Sequence, residues 1–124
     1  MKKENDFYSG FEGEPELSIS LISEEKTTEI ELTTWIGHFE EIVLSIGTND
    51  LGKWEGISLY YHLHTGWYDQ SPWILKEVDL FAKQLKSIEN NLLSDSSKEI
   101  HKILSKIITK AVKSPSKKVV FNYS

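Results

Sequence analysis

Apolar positions along this chain follow two periods, and the change from one to the other comes at Ser71. Leu17, Ile19 and Leu21 alternate with Ser18 and Ser20, as in a half-buried strand whose successive side chains point to opposite faces. Glu24, Glu25 and Lys26 form a polar turn, after which Ile30 and Leu32 alternate with Glu29 and Glu31 and predict a second strand over about 28–36. Ile42, Leu44 and Ile46 predict a third over 41–46. Leu59, Tyr61 and Leu63 predict a fourth over 57–64, with Tyr60, His62 and His64 on its other face. Short polar or glycine-containing links imply antiparallel neighbours.

Beyond Ser71 the period lengthens to that of a helix. Ser71 suits an N-cap and Pro72 a first helical position, and Ile74, Val78, Phe81, Leu85, Ile88 and Leu92 then recur every three or four residues, predicting a helix over 72–93. Ser96 and Glu99 have the spacing of a capping box and open a second helix over 97–113. Its apolar stripe is Ile100, Ile103, Leu104, Ile107 and Ala111, and its other side is a row of lysines at 98, 102, 106, 110 and 113. Val119, Val120, Phe121 and Tyr123 read as a fifth strand over 118–123, and residues 1–16 as an arm anchored by Phe7, Tyr8 and Phe11. The expected fold class is α+β: an antiparallel sheet of four to five strands with two C-terminal helices packed on one face. The other face would be solvated, covered by the arm or offered to a partner.

Composition narrows the possibilities. A chain of 124 residues with five Phe, five Tyr and four Trp has the size and apolar content of one folded domain over 1–124. The absence of cysteine removes disulfides, thiolate metal sites and a cysteine nucleophile, and makes a reducing cytoplasm the simplest compartment. No run approaches the roughly 18 apolar residues of a membrane span. All fourteen basic residues are lysine, whereas bidentate phosphate and base contacts favour arginine, so direct nucleic-acid recognition is not expected. Charge is divided unevenly: residues 1–70 carry fourteen acids against four lysines, net −10, and residues 71–124 five against ten, net +5. The first half is suited to attracting a basic partner.

Candidate chemistry is sparse. His62 and His64 share a strand face and have the spacing of a metal pair, but a catalytic zinc needs about three protein ligands, so His38, Glu55 or Asp69 would have to converge on them. Acid–base catalysis could draw on His62 or His64 with Asp69 or Glu55, yet no nucleophile elbow, phosphate loop or zinc-protease motif supports an enzyme. No metal or cofactor is expected. A cluster of Trp and Tyr between Trp54 and Trp73 suggests interface anchors or core, and Glu40, Glu41, Asp50, Glu55 and Asp69 fall around it. With Trp54 and Trp67 these carboxylates form the candidate partner-binding set. They are either rim charges that aid solubility or an acidic, aromatic-centred patch that steers in a basic protein.

The acidic stretch Trp35 to Ile46, the segment Gly66-Trp67-Tyr68-Asp69-Gln70-Ser71-Pro72-Trp73 and the amphipathic helix after it resemble the small bacterial immunity proteins of contact-dependent growth-inhibition and polymorphic toxin systems. The resemblance lies in size, charge and layout over most of residues 17–113. It implies a cytoplasmic non-enzyme that binds a cognate toxin C-terminal domain, often a basic nuclease, and blocks its active site. A small acidic secretion chaperone is the alternative, although chaperones of that kind often begin with a helix; a small enzyme centred on His62, His64 and Asp69 is a third reading.

Overall fold

The computed structural model describes residues 6–46, 48, 50–57, 59, 73–88 and 90–123. The fold is α+β, with a five-stranded sheet and, among the described residues, three α-helices of ten residues or more. The strands are β1 (Asp6–Phe7), β2 (Glu16–Ile22), β3 (Thr28–Trp35), β4 (Trp73–Ile74) and β5 (Lys118–Tyr123), and they lie side by side in the order β1-β3-β2-β5-β4. The helices are α1 (Ile36–Ile46), α2 (Val78–Ser87) and α3 (Asp95–Lys113), with a 3-10 turn at Asn90–Leu92.

β2 and β3 form the hairpin that the alternation predicts. Lys26 donates its backbone N–H to the Ser23 carbonyl and adopts φ +65, the left-handed position that closes such a turn. Register then decides which side chains enter the core. Ile19 lies opposite Leu32 on one side and Phe121 on the other, while Leu21 lies between Ile30 and Val119. Leu17, Ile19, Leu21, Leu32, Val119 and Phe121 are all buried on this face. The opposite face carries Ser18, Ser20, Glu31, Thr33 and Asn122 together with Trp35, Val120 and Ile74, and so mixes polar with apolar side chains.

The covering layer is helical. α3 contacts β2, β3 and β5, and α2 packs on both α3 and α1. Ile100, Leu104, Ile107 and Ile108 on α3 and Phe81 and Leu85 on α2 are buried, and Phe39 of α1 meets Phe121 of β5 edge to face at 5.8 Å. The lysine row of α3 remains outside this core: Lys102, Lys106, Lys110 and Lys113 are exposed.

Several sequence expectations are corrected here. The sheet is mixed rather than antiparallel, because the arm adds β1 parallel to β3 through Asp6↔Thr33 and Phe7↔Thr34. The strand expected over 41–46 is the second half of α1. Ile36, Phe39, Ile42 and Val43 make a buried helical stripe, and Leu44, which the alternation placed inside, is 57% exposed. The strand expected over 57–64 does not begin at Ile57: Gly56 at φ +58 turns the chain, Ile57 and Leu59 are helical, and 60–64 lie outside the described residues.

The helix expected over 72–93 is shorter at both ends. Trp73 and Ile74 pair with Phe121 and Val120 of β5, so the chain is extended there and α2 starts only at Val78. It stops at Ser87, where Ile88 takes an extended conformation as the C-cap. Ser71 and Pro72 lie outside the described residues. α3 opens two residues before the proposed capping box, with Ser94 as N-cap accepting the Ser97 N–H on its side chain.

Candidate partner-binding site

The chain leaving α1 forms an exposed loop before it returns to the core at Ile57. Asp50, Leu51, Lys53, Trp54 and Glu55 all project outward, with Leu51 80% and Trp54 43% exposed. Its C-terminal end is held against α2. The buried Gln84 amide of α2 donates from Nε2 to the Glu55 carbonyl at 2.9 Å. Gly56 lies so close to α2 that a Cβ there would come within 2.8 Å of Leu80 Cδ2, and its positive φ independently favours glycine. The loop is therefore fixed to a rigid element just where its acidic and aromatic residues are presented.

The carboxylates of α1 are used differently. Glu41 Oε1 accepts the Ser94 backbone N–H at 2.6 Å, placing a negative charge at the N-terminus of α3, where the helix dipole favours one. Ser97 Oγ reaches the His38 carbonyl at 3.3 Å and ties the same helix start to α1. Glu41 is thus a joint between helices as well as an acidic group, while Glu40 lies on the same helix and is partly exposed. Both were expected at a strand end, and both are helical. Asp50, Trp54 and Glu55 lie where the sequence placed them, in one exposed loop. Trp67, Asp69, His62 and His64 lie outside the described residues.

A second aromatic group forms at the junction of β3 and α1. Phe11 stacks on Trp35 with ring centroids 4.5 Å apart, and His38 stands edge-on to both rings at 5.2 and 5.1 Å. The Trp35 ring lies directly over Gly37, so any Cβ at residue 37 would overlap it. Burial lowers the His38 pKa below its ordinary value, and the nearby Glu41 charge opposes that shift. The sequence marked Phe11 as an anchor of the arm. It gave no sign that Trp35 and His38 would receive it, apart from a glycine placed between two large rings. Gln84 was missed altogether, since a glutamine within an amphipathic helix ordinarily reads as solvent-facing.

Among the described residues no group of three His, Asp or Glu side chains could hold a metal ion, and no helix is long and apolar enough to cross a membrane. The arrangement offers a contact surface: a carboxylate-bearing loop with two exposed apolar side chains on a fixed base. Comparison with family models, with curated proteins and with solved structures finds no match.

Proposed function

We propose that this chain is an immunity-type protein that binds a cognate toxin domain, a basic nuclease, in the cytoplasm and covers its active site. The observation that carries this reading is the loop Asp50–Glu55, in which exposed Leu51 and Trp54 lie between two carboxylates and a buried glutamine anchors the base. Aromatic anchors on a pre-ordered base contribute most of the energy in many protein interfaces, because little conformational freedom is lost on docking. The net −10 of residues 1–70 supplies the long-range attraction for a basic partner. The candidate set of this reading also includes Trp67 and Asp69, and Glu40 and Glu41 on α1. Catalysis has no part in it.

The test is genetic and biochemical. A toxin domain encoded beside this chain's gene should kill a cell that expresses it alone, and coexpression of this chain should restore growth. The purified pair should form a complex that Trp54→Ala weakens. A toxin that kills regardless of this chain, or a complex indifferent to Trp54, would count against the reading.

A further inference from the structure

On the far side of α2 from the loop lies a groove with the opposite character. Two hollows of about 210 and 300 Å³ meet at Val112. The first runs between α2 and α3 past Ala82, Leu85 and Ile108. The second continues past Ile74, Leu75 and Val78 to the start of β5. Val112 is 39% exposed where the two hollows meet. The rim carries Lys76, Lys86, Lys113, Lys117 and Lys118 against one carboxylate, Asp79; of these lysines, Lys117 is tied to Glu29 at 2.8 Å.

Helix geometry places loop and groove apart. Leu80 and Gln84 face the loop, whereas Ala82 and Lys86, two residues further on, line the groove, and two residues turn a helix by about 200°. One molecule therefore cannot fold its own loop into its own groove, but a second copy can present its loop there. We propose that the lysine-rimmed groove of one copy receives the apolar-tipped loop Asp50–Glu55 of another, whose two carboxylates outnumber its one lysine, Lys53, with Leu51 and Trp54 entering the hollows beside Val112.

An exposed leucine alone is ordinary. The inference rests on the conjunction of features: two exposed apolar side chains in the acidic half, a mainly apolar hollow joined to a mixed one with a lysine rim in the basic half, and their placement on opposite sides of one helix. Among the described residues no aromatic side chain lines either hollow to serve as the stacking platform that single-stranded nucleic acid would use. The formal net charge of −5 opposes approach in random orientations and leaves the loop-to-groove orientation as the attractive one. Such a contact is head-to-tail, so it propagates beyond a dimer unless the rotation closes a ring. It uses the same loop as the proposed toxin contact without depending on that reading, and the two bindings would exclude one another.

The test is sedimentation velocity on the full chain with no toxin present. At about 0.01 M salt, where the Debye length is about 30 Å, the average mass should rise with concentration above the 14.3 kDa of one copy; at about 1 M salt, with a Debye length of about 3 Å, it should return to that value. A loop variant, Leu51→Asp with Trp54→Ser, and a groove variant, Val112→Asp with Lys113→Glu, should each stay monomeric alone. An equimolar mixture should form dimers, since one variant keeps an intact groove and the other an intact loop. That complementation also shows that both variants fold. A wild type that stays monomeric at low salt, or a mixture that stays monomeric while the wild type associates, would overturn the proposal. Binding of poly-glutamate at Val112 by a strictly monomeric wild type would overturn it in favour of a foreign acidic chain.

Discussion

Gln84 donates its side-chain amide to the Glu55 carbonyl across 2.9 Å, joining α2 to a loop 29 residues earlier in the chain, while its Oε1, also buried, has no hydrogen-bond partner among the described residues. The side chain therefore has one satisfied end and one costly end. Gln84→Ala should destabilise the fold by about 1–3 kcal/mol, because the Glu55 carbonyl loses its donor and a buried side chain is truncated. Gln84→Met, which keeps the volume and removes the orphan acceptor as well, should cost less. Chemical denaturation gives the two values, and amide exchange in the loop should quicken in both variants. Equal losses would show that the lost donor, and not the truncated volume, decides.

Gly37→Ala tests the junction of β3 and α1. In an ordinary helix this change is stabilising by roughly 1 kcal/mol. Here the new Cβ would overlap the Trp35 ring, and the ring must leave its stack on Phe11. The expected outcome is a net loss of stability together with a changed near-ultraviolet circular dichroism signal. In a Trp35→Ala background the same change should become neutral or favourable.

His38 gives the fold a pH dependence of defined sign. Its pKa is lower in the folded protein than the ordinary 6.5, so the unfolded chain binds the proton more readily. The contribution of His38 to stability is complete above about pH 6.5 and is lost as the pH falls through its folded value. Thermal melts of the wild type and His38→Gln should diverge in pH dependence below about pH 6.5, the wild type losing stability more steeply. Parallel curves would place the titration elsewhere.

Phe81 and Ile107 were expected at the centres of two helical stripes, and both are buried. Phe81→Ala should cost about 3–5 kcal/mol and Ile107→Ala about 2–5 kcal/mol in denaturant unfolding. Losses below about 1 kcal/mol would contradict this packing.

These two residues also show which parts of the fold could be read from sequence. Stripes long enough to average out single exceptions were legible, as in α3, and so was a period-two run flanked by a polar turn, as in β2 and β3. Short segments were not. Ile42, Leu44 and Ile46 satisfy a strand, but Ile36, Phe39, Ile42 and Val43 equally satisfy a helix, and tertiary packing decides between them by leaving Leu44 outside. Trp73 and Ile74 fit the helical spacing, yet β5 offers them backbone partners, an option that local pattern does not encode. At the site the loop residues Asp50, Trp54 and Glu55 were legible because polar, glycine-bounded segments lie on surfaces. The Gln84 anchor and the Phe11–Trp35–His38 group were not, since both join residues distant in sequence.

The central claim, that the acidic half captures a basic toxin domain through the loop around Trp54, is tested most directly by the salt dependence of the association rate with that domain. Asp50→Asn, Glu55→Gln and Asp69→Asn together should slow association at low salt and flatten its dependence on ionic strength. The triple variant should converge with the wild type at about 1 M salt, where a Debye length of about 3 Å screens steering in both. An unchanged rate at low salt in the triple variant, with cells still protected, would contradict the account.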